Sequence, residues 1–198
     1  MTKRRYDGEL AKQIIAEKAT ELFSLKGYTR TSIEDIAKAS GYSKGHIYYH
    51  YKNKENLFVY LAKNSMRNWH EKWITAEKDY KNATEKLYGM ANYVLYNYTT
   101  PLLKAGQELA SDPSTNSSTV QQLYGLAVVP LTAYQQILDE GIKSGEFFIN
   151  NIENSSLLLG AWLGGLCQFI YSIETEKLEL LFEEAITIFL LSISNKPV

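Results

Sequence analysis

Residues 31–58, TSIEDIAKASGYSKGHIYYHYKNKENLF, decide how this chain reads. They divide into two short helices and the start of a third. The Thr31 hydroxyl is placed to cap a helix while Glu34 reaches back to the cap, and Ile33, Ile36 and Ala37 then make one apolar face. Gly41 stands where a helix stop needs positive φ, and Ser43 is placed to cap the next helix, leaving only a few connecting residues. Two helices joined so tightly form a helix-turn-helix.

The second of these helices, residues 44–51, has an odd surface for a helix that only packs. Ile47 suits a core, whereas Lys44, Gly45, His46, Tyr48, Tyr49 and His50 offer donors, ring faces and a gap. Gly45 costs roughly 1 kcal/mol relative to alanine inside a helix, so its use points to close approach by a phosphate or a base edge. Asn53 can cap the following helix, whose first amides and dipole end, with the Lys54 ammonium, suit a phosphate.

With Gly27 and Tyr28 just before it, this stretch resembles the TetR-type transcriptional regulators, and SKGHIYYHYKNKENLF is most similar to their QacR-type multidrug-binding branch. The shared motif covers about a quarter of the chain. The resemblance implies that Thr31, Lys44, Gly45, Tyr48, Tyr49, His50 and Lys54 touch DNA, the tyrosines on the backbone and the helix-start residues nearer the bases. Ser43 and His46, in the same run, complete the candidate DNA-binding set.

Composition fits a soluble globular protein of one or two domains: 198 residues, 45% hydrophobic and 22% charged. The formal net charge of −1 hides an asymmetry. Residues 1–63 carry 12 Lys or Arg against 7 Asp or Glu, a net of +5, and residues 64–198 carry 9 against 15, a net of −6. The positive field is thus confined to the segment with the helix-turn-helix. A single cysteine, Cys167, excludes an internal disulfide framework. Lys3, Arg4 and Arg5 lead into polar residues with no apolar signal segment, and no apolar run is long enough to span a bilayer, so a cytoplasmic protein is expected.

Taken in order, residues 1–6 read as a basic arm and residues 7–26 as a first helix stopped by Gly27. A long uninterrupted helix follows over residues 53–80. The sequence then predicts helices over 84–98, 101–110, 120–143 with a kink at Pro130, 153–172 and 176–194, with a loop at 111–118. The expected architecture is all-α, with about nine helices: a DNA-binding domain over 1–52 and a larger ligand-binding and dimerisation domain over 53–198, sharing the helix 53–80.

The second part is unusually rich in large rings, with Trp69, Trp73, Tyr88, Tyr93, Tyr96, Tyr98, Tyr124, Tyr134, Trp162, Phe169 and Tyr171. Helical cores normally prefer Leu, Ile and Val, so these rings suggest a cavity for a small aromatic or hydrophobic effector, with Glu108 as a countercharge. The resemblance adds that Trp69, Trp73, Glu108 and Tyr134 match positions of the QacR-type pocket region. Other pocket acids of that branch correspond here to Ser65, Met66 and Ala127, which weakens any preference for cations. The candidate effector set is Trp69, Trp73, Tyr93, Tyr96, Glu108, Tyr134, Trp162 and Phe169.

The last two helices are apolar on more than one face and carry Gly160, Gly164 and Gly165. That surplus predicts a homodimer through a four-helix bundle, and two-fold protein symmetry implies a palindromic operator on double-stranded DNA. His46, His50 and His70, the only histidines, form no metal motif, and no nucleotide-binding loop or nucleophile elbow occurs; neither a cofactor nor a metal is expected. The reading is therefore a ligand-responsive repressor and not an enzyme. Its rivals are a DNA-binding activator or architectural module without a ligand, and a small helical enzyme built on Glu108.

Overall fold

The computed structural model describes the backbone of residues 3–97 and 100–194, with side chains from residue 8 onward. Among the described residues ten α-helices follow one another: α1 Lys3–Lys26, α2 Ile33–Ser40, α3 Lys44–Tyr51, α4 Lys54–Ala76, α5 Ala83–Asn97, α6 Leu103–Ser111, α7 Ser117–Tyr124, α8 Val128–Ser144, α9 Ile152–Cys167 and α10 Thr175–Ile193. Short 3-10 turns occupy Glu77–Asp79 and Gly125–Ala127, and no strand occurs among the described residues. The all-α expectation holds.

The additional helix arises where a single kinked one is expected over residues 120–143. The chain breaks instead at Gly125–Ala127, and Pro130 falls in the first turn of α8. There the amides have no partner within α8 to lose, so proline is accommodated at the start of a helix and not in the interior of one. Similarly, α9 ends at Cys167: the amides of Gln168 and Phe169 bond to the carbonyls of Gly165 and Leu166, three residues back, and the chain turns. The basic arm expected at the start is already helical in its backbone from Lys3. Tyr98, one of the predicted pocket rings, lies outside the described residues, as do the side chains of the basic arm.

Contacts divide the chain into two units, Met1–Met66 with Thr100–Leu126 and Arg67–Thr99 with Ala127–Val198. This displaces the boundary expected at residue 53. The reason lies in α6 and the residue before it: Leu102, Ala105 and Leu109 are buried in the same core as Ile15, Phe23, Ile36, Ile47, Leu57 and Phe58. Phe23 meets Phe58 edge-on at 5.2 Å and stacks on Tyr28 at 5.5 Å. In the second unit α5 packs against α8, α9 and α10, and Trp73, Leu87, Met90, Ile137, Leu159 and Phe182 are fully buried. Burial of each such side chain contributes roughly 1.5–3 kcal/mol. One helix, α4, supplies residues to both units.

Candidate nucleic-acid interface and effector region

The helix-turn-helix is fixed by its caps. Ser32 and Asp35 form the capping box of α2, with the Asp35 amide 3.0 Å from Ser32 Oγ and the Ser32 amide 3.0 Å from Asp35 Oδ2. The expected pair, Thr31 and Glu34, is off by one residue. Thr31 is completely buried, and its hydroxyl donates to the Gly27 carbonyl at 2.8 Å. Gly41 closes α2 at φ 74°, and Ser43 caps α3 by accepting from the His46 amide. Two inward residues hold α3 down: Ile47 is fully buried, and the Tyr51 hydroxyl donates to the Lys12 carbonyl at 2.8 Å.

The rest of α3 faces water. Ser43, Lys44, Gly45, His46, Tyr48 and Tyr49 are all exposed, Tyr49 at 83%, a heavy exposure for an aromatic ring whose one ring contact is edge-on to its neighbour His50 at 5.1 Å. A Cβ at Gly45 would meet nothing closer than Ser43 Oγ at 3.6 Å, so no neighbour within the chain calls for glycine there. Lys44 pairs with Glu34, but both side chains are half or more exposed, and such a pair is worth about 0–1 kcal/mol. His50 is partly buried, and its pKa is held below the usual histidine value, first by burial and then by the charges of Lys12 and His46.

Two predicted DNA-binding residues turn inward instead. Lys54 Nζ donates to the carbonyls of Tyr28 and Thr31 at 2.9 and 2.8 Å and lies 4.0 Å from the Tyr28 ring centroid, and burial lowers its pKa. Its donors are thus engaged with the turn between α1 and α2, and Thr31 has no surface to offer. Glu108 is in the same place, far from its expected role as a pocket countercharge. Its carboxylate accepts the Tyr28 and Thr29 amides at 2.9 and 3.4 Å, above Gly27 at φ 81°. Residues 27–31 are therefore gripped by α1, α4 and α6 at once.

Lys52, which follows the recognition helix with Lys54, is absent from the candidate DNA-binding set. At φ 65° it is the only non-glycine with positive φ among the described residues, and the Asn53 amide reaches the Tyr51 carbonyl at 2.8 Å across it. This is a γ-turn with positive φ, a strained form. The available signal was a missing glycine: α1, α2 and α8 are each followed by Gly27, Gly41 and Gly145 with positive φ, whereas α3 is followed by lysine.

In the second unit the predicted effector residues separate into two groups. Trp69, Trp73 and Tyr93 come together, with Tyr93 5.1 and 5.4 Å from the two indoles and its hydroxyl donating to the Trp69 carbonyl at 2.7 Å. Tyr134 is buried in the same core, and burial pushes its pKa up. Trp162 and Phe169 are instead exposed at 42% and 47%. Tyr96 is also exposed, its hydroxyl bonded to Glu179 in a groove of about 490 Å³ lined with Tyr88, Asn92 and Glu183. Among the described residues no cluster of ligands for a metal ion occurs, and no helix is long and apolar enough to cross a membrane.

Comparison with known proteins covers both units. The family described as bacterial regulatory proteins, tetR family, matches residues 15–61, and the QacR-like C-terminal region matches residues 65–195. The transcriptional regulator QacR of Staphylococcus aureus is 32% identical over 160 residues, 77% of this chain and 82% of that protein. The fatty acid metabolism regulator protein of Bacillus subtilis is 30% identical over 137 residues, 67% of this chain and 68% of that one. The crystal structure of FadR from Bacillus subtilis in complex with stearoyl-CoA matches with a TM-score of 0.73 at 22% identity, over 90% of this chain and 97% of that one. A transcriptional regulator from Cytophaga hutchinsonii matches with a TM-score of 0.73 at 20% identity, over 95% and 100%. At those identities the two structures speak for the fold alone. Regulators of this kind bind DNA and small-molecule effectors, usually as dimers, and are not enzymes. With a family match over the DNA-reading helices and another over most of the remaining chain, this protein belongs to the TetR family of bacterial transcriptional regulators.

Proposed function

We propose that the chain acts in the cytoplasm as a homodimeric repressor that binds a palindromic operator and is released by a small aromatic or hydrophobic effector. The observation that carries this reading is the outer face of α3, where Lys44, Gly45, Tyr48 and Tyr49 are exposed and none belongs to the buried core. Dimerisation is supported by apolar residues left in water on α9 and α10: Leu157, Leu158 and Trp162 on one, and Leu180, Ile188 and Leu191 on the other. This reassigns Trp162 from the effector site to the subunit interface. Two-fold symmetry then sets the recognition helices about 34 Å apart, one turn of duplex.

Release follows from chain topology. The chain passes between the units at residues 66–67, 99–100 and 126–127, and the segments so tethered include α4 and α6. These two helices supply Lys54 and Glu108, which hold the turn at residues 27–31. An effector that favours a different packing of the second unit shifts that turn, and α2 and α3 with it, by differential binding to two conformers. Fluorescence anisotropy on DNA from upstream of the gene, together with the solution mass, tests this. The expected result is a mass of twice 22.6 kDa and saturable binding to an inverted repeat. A monomer, or equal affinity for scrambled DNA, overturns it.

A further inference from the structure

The aromatic interior of the second unit holds an unpaired donor. Trp73 is fully buried, and its indole Nε1 has no hydrogen-bond partner; one turn earlier on α4, His70 Nδ1 is also buried and unpaired. Buried polar groups in folded proteins nearly always find partners, so a pair of orphans on one face of one helix calls for a reason. An indole N–H only donates. Whatever satisfies Trp73 must therefore bring an acceptor. The neighbouring Tyr93 hydroxyl already donates to the Trp69 carbonyl.

Charge narrows the choice. Among the described residues no Asp or Glu of the second unit is buried, and Glu108, the acid expected there, belongs to the first unit and is engaged with the Tyr28 amide. An organic cation entering beside Trp73 would meet a donor and no counter-ion, and an unpaired buried charge is costly. Resting on the effector reading above, we infer that the effector is an apolar molecule bearing a carbonyl or carboxylate oxygen, which accepts from Trp73 Nε1. A cation at this site, held by the ring faces of Trp69, Tyr80 and Tyr93 alone, binds more weakly.

Three probes sharing a ten- or eleven-carbon chain separate the head groups: 2-undecanone, decanoate and decyltrimethylammonium. Calorimetry on the full-length protein is expected to show binding of the ketone or the carboxylate and at least tenfold weaker binding of the ammonium compound. Trp73→Phe keeps a ring and removes the donor; it should weaken the oxygen-bearing probe by about five- to twenty-fold, the loss of one hydrogen bond, and leave the cation unchanged. Should that variant not fold, the indole ¹⁵N–¹H resonance of Trp73 in the unmodified protein reports the same contact by a downfield shift on adding the ketone. Equal or tighter binding of the cation, no binding of either oxygen probe, or an unmoved indole resonance overturns the inference, the last meaning that an internal water satisfies the donor. Operator anisotropy in the same titrations keeps the two readings apart. Trp73-dependent binding that leaves DNA affinity unchanged removes the effector role while the acceptor site stands.

Discussion

Gly27 and Gly45 both belong to the DNA-reading unit, and they are glycines for opposite reasons. Gly27 sits at φ 81°, and a Cβ there would lie 2.5 Å from Glu108 Oε1. Gly45 has helical backbone, and a Cβ would meet only Ser43 Oγ at 3.6 Å, an ordinary contact. The same division runs through the lysines, since Lys54 bonds to two backbone carbonyls inside the fold while Lys44 rests in an exposed ion pair. Within one motif, then, some residues answer to constraints inside the molecule and others have none there. The second group is the one available to a duplex.

Substitutions that separate stability from DNA affinity test this division, and the largest effect is expected at the turn. Gly27→Ala places a methyl group against the Glu108 carboxylate and forces alanine into left-handed backbone. The expected loss is about 2–3 kcal/mol of stability, read by urea denaturation, with operator binding lost only as far as the fold is lost. Lys54→Met comes next. Removing two charge-assisted bonds and a ring contact should cost about 1–2 kcal/mol, while the salt dependence of DNA binding keeps its slope. A slope lower by about one unit in Lys54→Met would return that lysine to the phosphate-binding set.

How far the sequence revealed this arrangement follows the same line. The short helices, the Gly41 stop and the Ser43 cap are encoded by neighbouring residues, and all are present. The core positions Ile36 and Ile47 are legible for the same reason, because helical spacing alone assigns them inward. What local pattern cannot supply is a partner distant in sequence. Glu108 lies about eighty residues from the amide it accepts and reads equally well as a pocket acid or as a clamp on a turn. Thr31 and Lys54 look like surface donors until the carbonyls of Gly27, Tyr28 and Thr31 are placed beside them. The aromatic residues of the second part divided for a related reason, since composition does not tell a ring beside Trp73 from one left exposed on α9.

Lys52 sharpens the comparison from the other side. A γ-turn with positive φ favours glycine, yet lysine occupies it, directly after the helix proposed to read DNA. Lys52→Gly should relieve the strain and raise stability by about 1 kcal/mol, measured by thermal denaturation. If the strained residue is kept for its charge, the same variant lowers operator affinity and reduces the salt slope by about one phosphate contact. Raised stability with unchanged DNA binding would instead make Lys52 a turn residue without a ligand.

The smallest change in stability belongs to Gly45→Ala, and it is the most discriminating. Alanine is the better helix former, and nothing in the fold obstructs the added methyl group, so the variant should be more stable by about 0.5–1 kcal/mol. The fold should be unaltered, with Ile47 and Tyr51 still anchoring α3. Operator affinity should nonetheless fall by about tenfold or more, because the methyl group stands where a phosphate or base edge must approach the backbone. A stabilised protein with weakened DNA binding has only one physical explanation within this unit: the constraint on residue 45 lies outside the chain. If Gly45→Ala binds the operator as tightly as the original protein, the outer face of α3 is not the reading surface, and the contrast with Gly27 reduces to a difference in local crowding.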